Sequence, residues 1–334
     1  MSIKAVSLMR HLLDHEAREL ELGVEFCHLV AQLAFAAKIM SREIARAPLV
    51  GMLGLSGEHN ATGDAQKKLD IFTNDTMVDA FAHTGLVAEI ISEEMEELHH
   101  VAGGANARFV LCVDPLDGSS NTDTNGPVGT IFGVYRRRDD SPEGHFSKVL
   151  RRGSEQVAAG YVMYGPGTLL VYTSGTGVNG FTLDPNLGEF ILSHPDIRCP
   201  VRGRLFSANL GNFYQWHSQV RNYVEYLTTN DGSPGRPYSL RYAGALVADF
   251  HRSLISGGIF FYPSDAKHLN GKLRLLYECA PLAKVIENAG GRASDGSRPI
   301  LDIAIDKAHQ HTPLVIGSAE DVAIFETFLR GGSP

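Results

Sequence analysis

The run Asp114-Pro115-Leu116-Asp117-Gly118-Ser119-Ser120-Asn121 carries the most chemistry in this chain. Two carboxylates three residues apart straddle a bend. Pro115 fixes the chain direction, and Gly118 lets the backbone pass close to a ligand. The amides of Gly118 and Ser119, with the Ser119 and Ser120 hydroxyls, can form an anion cradle at the opening of a turn or helix. Carboxylates beside such a cradle suit Mg²⁺, a hard cation that takes carboxylate, water and phosphate oxygens. A tight turn with an Asx cap is the plainer alternative, and the metal–phosphate reading is favoured over it.

Glu93-Glu94 is the second feature. Adjacent carboxylates at a strand end point to different sides, so one can hold a metal while the other handles protons. Glu96 and Glu97 follow, and acids favour a first helical turn, which is the competing reading. Asp64 and Asp70 flank Gln66-Lys67-Lys68 and read alone as surface charges with capping value. Arg274 and Glu278, four apart on a helix, read alone as an exposed ion pair. His99-His100 has no further ligands nearby and reads as a surface pair. Trp216, beside Phe213 and Tyr214, reads as core or interface.

These groups need elements to position them. Apolar runs at 86–91 and 108–113 read as strands ending at Ser92-Glu93-Glu94 and at Asp114. Ligand sites in mixed α/β sheets gather at such carboxyl ends. Within 24–47, Phe26, Leu29, Val30, Leu33, Ala37, Met40 and Ile44 recur at three- and four-residue steps, predicting a long amphipathic helix stopped by Pro48. Residues 51–63 read as a mobile loop. A second helix opens near Asp64 as N-cap and carries Leu69, Phe72 and Phe81. A strand spans 130–135, and runs 161–164 and 169–173 flank Gly165-Pro166-Gly167 as a hairpin. Residues 195–204 are polar and broken, a junction between halves. Beyond it come strands at 205–208, 258–262 and 314–317. Helices alternate with them at 215–228, 243–251, 272–288 (closed by Gly290-Gly291) and 320–329.

Composition bounds the function. The chain has 334 residues, 43% apolar and 20% charged, with net charge −8. That fits one large or two ordinary globular domains. It offers no basic surface for nucleic acid or acidic lipid, so any anionic substrate needs positive charge gathered locally. Four single cysteines with no CxxC argue against zinc ribbons and redox motifs and fit a reducing compartment. The apolar stretch 5–9 is too short for a signal peptide. The longest apolar span, 26–37, contains His28 and Gln32 and falls below the roughly 18 residues of a membrane helix. No membrane partner and a cytoplasmic location are expected.

Taken in order, the motifs resemble class I fructose-1,6-bisphosphatase over nearly the whole chain. The carrying segments are Thr62-Gly63-Asp64 with Lys67-Lys68-Leu69-Asp70, Ser92-Glu93-Glu94, the 114–121 run with Gly129-Thr130-Ile131-Phe132-Gly133, and Arg241-Tyr242 with Ala248-Asp249-Phe250-His251-Arg252. Gly257-Gly258-Ile259-Phe260-Phe261-Tyr262-Pro263 and Gly271-Lys272-Leu273-Arg274-Leu275-Leu276-Tyr277-Glu278 follow in family order. Asp-Pro-Leu-Asp-Gly-Ser is shared by the wider lithium-sensitive phosphatase superfamily, while the late segments are specific to sugar bisphosphatases.

The resemblance implies an α/β fold, a layered α/β/α/β/α sandwich of the sugar phosphatase type. It implies an N-terminal regulatory and metal-binding domain over 1–200 and a C-terminal sugar-phosphate-binding domain over 201–334, with the active site between them. The reaction implied is Mg²⁺-dependent hydrolysis of the 1-phosphate of fructose 1,6-bisphosphate by in-line attack of water. Asp64, Glu93, Asp114, the Leu116 carbonyl, Asp117 and Glu278 would hold two or three Mg²⁺, or Mn²⁺. Asp70 and Glu94 would polarise the attacking water. The Gly118-Ser119 amides, with Ser120 beside them, would bind the 1-phosphate, and Arg274 would neutralise its charge. Asn209, Arg241, Tyr242, Tyr262 and Lys272 would hold the sugar and 6-phosphate, Arg241 reaching in from a neighbouring subunit of a homotetramer. The 51–63 loop would close over the metals.

The chain also departs from the pattern. Relatives inhibited by AMP carry a Thr-rich turn before the first long helix and a Lys-Tyr pair before the Asp-Pro-Leu-Asp strand. Here those places hold Leu22-Gly23-Val24-Glu25-Phe26-Cys27 and Arg108-Phe109, so the resemblance carries no expectation of AMP control. Asn212 stands where animal relatives have Tyr. Sedoheptulose-1,7-bisphosphatase activity, alone or as a second activity, is the alternative. Inositol monophosphatase-like activity is disfavoured by Tyr277-Glu278-Cys279 in place of a Trp-Asp pair. A catalytically silent regulator is disfavoured by the full set of five metal carboxylates.

Overall fold

In the computed structural model, residues 5–17, 22–60, 65–137, 152–232 and 235–332 are described. Asp64, expected both as N-cap and as metal ligand, lies outside them, as does the end of the 51–63 loop.

Among the described residues the larger sheet has eight strands. From one edge to the other they are Glu189–His194, Asn179–Asp184, Thr168–Thr173, Gln156–Tyr164, Val128–Arg136, Phe109–Asp117, Val87–Ser92 and His99–His100. Both faces are covered, so the central strands read as near-continuous apolar runs. On one face Phe109, Leu111, Val113, Phe132 and Val134 pack under α1 (Leu8–His15), α2 (Gly23–Arg46) and α3 (Lys68–Phe81). On the other, Val110, Cys112, Ile131, Tyr135 and Tyr161 share a core with residues of two later helices.

The smaller sheet has five strands in the order Ser239–Leu240, Leu205–Ser207, Ile259–Tyr262, Leu314–Gly317 and Arg292–Ser294. Its outer face carries α4 (Ser218–Thr228) and α7 (Ala319–Leu329) over Phe206, Phe261 and Val315. Between the two sheets lie α5 (Leu246–Ser256) and α6 (Ala280–Asn288), packed against both. The order is therefore helices, sheet, helices, sheet, helices: the layered α/β sandwich expected.

Several elements differ from the sequence expectation. Residues Leu55–His59 and Ala65–Lys67 pair as an antiparallel ribbon, where a loop and the start of a helix were expected. Helix α3 opens later than Asp64, with Lys67 as its N-cap and Asp70 folding back onto the Lys67 amide at 2.7 Å. The expected helix over 272–288 is three pieces. Leu273–Arg274 pairs with His311–Thr312, Leu275–Cys279 forms a π-helical turn, and α6 follows with Pro281 in its first turn. Proline lacks the amide needed to continue an upstream helix, so the chain enters α6 through a widened turn. The hairpin Asn179–Asp184/Glu189–His194 and helix α1 are additional to the elements expected from sequence. Helix α2 with its short continuation, Gly23–Leu49, is long and apolar enough to cross a membrane, unlike the 26–37 span alone. Half of its most apolar window is buried in the protein, where Phe26, Leu29, Val30, Leu33 and Met40 join the core under the larger sheet. Trp216 is buried against Phe261, 5.8 Å between ring centres.

Candidate active site

Strand register brings the acidic groups together. Val87–Ser92 runs parallel to Phe109–Asp117 with Ser92 opposite Val113. Glu93 and Asp114 therefore emerge side by side, and the Glu93 amide donates to the Val113 carbonyl at 3.1 Å. The Phe109–Asp117 strand loses regular pairing between Asp114 and Asp117, where Pro115 has no donor. The Asp114 side chain fills that gap by accepting from the Leu116 amide at 3.0 Å. At the bend Gly118 has φ +76°, and a Cβ there would sit 2.4 Å from that of Ala245. Glycine thus permits close approach of the loop before α5, a reason additional to the ligand access expected for it. Ser119–Thr124 then turns as a 3₁₀ helix.

A cleft of about 430 Å³ opens over this corner. Its acidic wall is Asp70, Glu93, Glu94, Asp114, Asp117 and Glu278, with Leu116, Gly118, Ser119 and Ser120 on its floor. Asn209, Tyr242, Tyr262 and Lys272 also line the cleft, and Arg274 lies within the acidic wall itself. Of the predicted site residues that are described, only Arg241 lies outside the cleft: it is exposed, and its Nη1 donates to the Leu240 carbonyl at 2.8 Å.

Electrostatics divide the cleft. Asp114, Asp117 and Glu278 are buried, and one ligand atom from each falls within 4.8 Å of the others. Burial raises all three carboxyls, and Glu93 raises them further. Asp117 is pushed up to about 7 despite two amides that draw it down, and Glu278 to about 8. Three anions in so small a buried space are stable only when protonated or matched by cations. Asp70 Oδ1 is also buried without a hydrogen-bond partner. This donor set fits hard divalent cations, which take carboxylate oxygens.

Glu94 is pushed up to about 7, chiefly by burial, with Gln66 drawing it down through a 2.6 Å hydrogen bond. Arg274 answers part of the negative charge: its Nη2 lies 3.1 Å from Glu93 Oε1, and its backbone amide donates to Glu278. Arg274 and Glu278 are thus both buried, not an exposed helical ion pair. Gln66 and Asp249 also line the cleft and went unassigned. Gln66 lies between Asp64 and Asp70, and Asp249 within the Ala248–Arg252 motif, so position was a signal where residue type was not.

Known proteins share this architecture. The family model described as "Fructose-1-6-bisphosphatase, N-terminal domain" matches residues 6–195, and the one described as "Fructose-1-6-bisphosphatase, C-terminal domain" matches residues 199–330. The chain is 53% identical over 309 residues to "Fructose-1,6-bisphosphatase class 1 2" of Acaryochloris marina, covering 92% of this chain and 93% of that one. It is 48% identical over 329 residues to the class 1 enzyme of Chlorobium phaeovibrioides, covering 98% and 99%. The crystal structure of Leishmania major fructose-1,6-bisphosphatase in holo form matches with TM-score 0.90 at 39% identity, over 98% of this chain and 99% of that one. With both family models matched across nearly the whole length and relatives near half identical, the chain belongs to the class 1 fructose-1,6-bisphosphatase family.

Proposed function

We propose that this protein hydrolyses the 1-phosphate of fructose 1,6-bisphosphate, giving fructose 6-phosphate and inorganic phosphate. One observation carries the reading: a buried carboxylate cluster holding Arg274 and a second group of Tyr242, Tyr262 and Lys272 line the same cleft. That arrangement suits a substrate with one phosphate to be cleaved and a second to be held.

Family membership implies dependence on a divalent metal, and Mg²⁺ is the cation proposed, two or three per subunit, with Mn²⁺ as a substitute. Glu93, Asp114, the Leu116 carbonyl, Asp117 and Glu278, together with Asp64, would hold it. Bound there, the cations would neutralise charge on the phosphoryl group and lower the pKa of coordinated water.

The chain's own residues do the rest. Asp70 and Glu94 polarise the attacking water, and Glu94 takes its proton; a carboxyl near 7 is matched to proton transfer at neutral pH. The Gly118 and Ser119 amides and the Ser120 hydroxyl orient the 1-phosphate, and Arg274 offsets its charge. Asn209, Tyr242, Tyr262 and Lys272 grip the sugar and distal phosphate, which fixes the reacting end in place. Arg241 lies outside this chain's own cleft, in keeping with service to a neighbouring subunit of a homotetramer. A division into domains near residue 200 and a cytoplasmic location complete the reading.

The test is phosphate release by purified protein with Mg²⁺ on fructose 1,6-bisphosphate, sedoheptulose 1,7-bisphosphate and inositol 1-phosphate. Strong preference for the first is expected. Inositol 1-phosphate turned over as fast would overturn the assignment.

A further inference from the structure

Asp249 has no part in the chemistry above, yet it is fully buried and borders the cleft. Both its oxygens are committed to backbone. Oδ1 and Oδ2 accept from the Ala243 amide at 2.9 and 3.0 Å, and Oδ2 also accepts from the Gly244 amide at 3.1 Å. Arg252 Nη1 lies 3.5 Å from Oδ1 and answers its charge. A bare carboxylate at the phosphate-holding end would repel a dianion; one satisfied by amides and an arginine shapes the wall.

That wall segment carries Tyr242, and every backbone polar group flanking this residue is held. The Arg241 amide donates to the Phe206 carbonyl at 2.9 Å, and the Arg241 carbonyl accepts from the Ser207 hydroxyl. The Ala243 amide goes to Asp249, and the Ala243 carbonyl accepts from Asn121 Nδ2 at 3.0 Å. Asn121 belongs to the 114–121 run, and the same nitrogen donates to the Pro127 carbonyl at 3.0 Å. Between these held neighbours Tyr242 lines the cleft, with the residue 40% exposed.

We propose that Asp249 is a positioning residue that holds the 241–244 segment so that Tyr242 meets the distal phosphate of the substrate. The inference rests on the distal-phosphate reading above. A carboxylate is required because two successive amides point at one site; asparagine would set its own N–H against one of them. A shift of about 1 Å in a gripping group costs up to about 10²-fold in rate.

The experiment compares kcat/KM on fructose 1,6-bisphosphate with kcat/KM on fructose 1-phosphate, which lacks the distal phosphate. The unmodified protein and Asp249→Asn are measured with saturating Mg²⁺, alongside melting temperatures. The expected result is that the ratio of the two values falls ten-fold or more in the variant, mainly through KM for the bisphosphate. If both substrates lose equally, Asp249 touches the sugar or merely supports the fold, and the proposal is overturned. A ratio unchanged from the unmodified protein overturns it as well. Ser207→Ala loosens the same segment from the Arg241 side and carries the test if Asp249→Asn does not fold; a three-fold fall in the ratio is expected, and no fall overturns the proposal. A ratio near one in the unmodified protein overturns the distal-phosphate reading itself and this inference with it.

Discussion

The Asp117 carboxylate accepts hydrogen bonds from the amides of Leu246 and Val247, at 3.1 and 2.7 Å. These are the first two residues of α5, whose N-cap, Ala245, has no side-chain acceptor. An anion here satisfies amides that no helical carbonyl reaches and lies favourably on the helix dipole. Asp117 thus serves two partners: proposed metal ligand on one side, remote cap of the helix between the two sheets on the other.

This dual role gives a first prediction. Asp117→Ala removes cap and ligand together, and loss of the cap costs about 1 kcal/mol. Activity should fall below one-thousandth, and added Mg²⁺ should raise the melting temperature less than in the unmodified protein. Asp117→Asn can still accept from one amide, so its own melting temperature should lie above that of the alanine variant while its activity stays as low. Equal activity in the asparagine variant and the unmodified protein would remove Asp117 from the metal site.

The carboxylate cluster predicts an unusual pH dependence. In the folded, metal-free protein Asp117 holds its proton up to about 7 and Glu278 up to about 8. Unfolded, both titrate near their ordinary values of roughly 4. Between those limits the folded state binds more protons, so its stability falls as pH rises. The urea midpoint in EDTA should decline from about pH 4 to about pH 8. Saturating Mg²⁺ should displace those protons, flatten the decline and raise the midpoint. A metal-free midpoint constant across that window would count against the cluster.

Arg274 is the third case. Its guanidinium and Glu93 are both largely buried and 3.1 Å apart. Removing one partner of a buried pair leaves the other uncompensated, typically at a cost of about 3–5 kcal/mol. Arg274→Met should lower the EDTA denaturation midpoint accordingly and raise KM for the substrate. Because the variant strips positive charge from an acidic cleft, Mg²⁺ should recover part of the lost stability. A midpoint unchanged by the substitution would show that solvent already screens Glu93.

How far the sequence discloses this site depends on range. Glu93 and Asp114 were legible because each ends an apolar strand run, and strand ends are where such sheets collect ligands. The 114–121 bend was legible from Pro115 and Gly118. The start of α5 was not: 243–251 looks helical throughout, but Asp249 pulls back the Ala243 and Gly244 amides, and Asp117 caps Leu246 from 129 residues away. The Arg274–Glu278 spacing looked like a helical pair because four residues apart is a helical neighbour distance. The strand pairing with His311–Thr312 turned Arg274 inward instead, and no local pattern announces that pairing. The roles proposed for Asp70, Lys272 and Tyr262 rest only on resemblance, since each type is common on any surface.

Glu94 and Gln66 give the last prediction. Gln66 Nε2 donates to Glu94 Oε2 at 2.6 Å and draws down a carboxyl that burial has pushed up to about 7. If Glu94 takes the proton of the attacking water, it must be ionised, and activity falls below its pKa. Glu94→Gln should lower kcat by about 10²–10⁴-fold, the usual weight of a general base, with KM little changed. Gln66→Ala removes a donor that favours the ionised form, so the Glu94 carboxyl rises further. The acid limb of the kcat/KM profile should therefore move to higher pH while the plateau at high pH is largely kept. A merely structural Gln66 would lower the whole profile without moving the limb. The same profile measured in Glu94→Gln should lose that limb altogether, and its persistence would assign the limb to another group, Asp70 first among them.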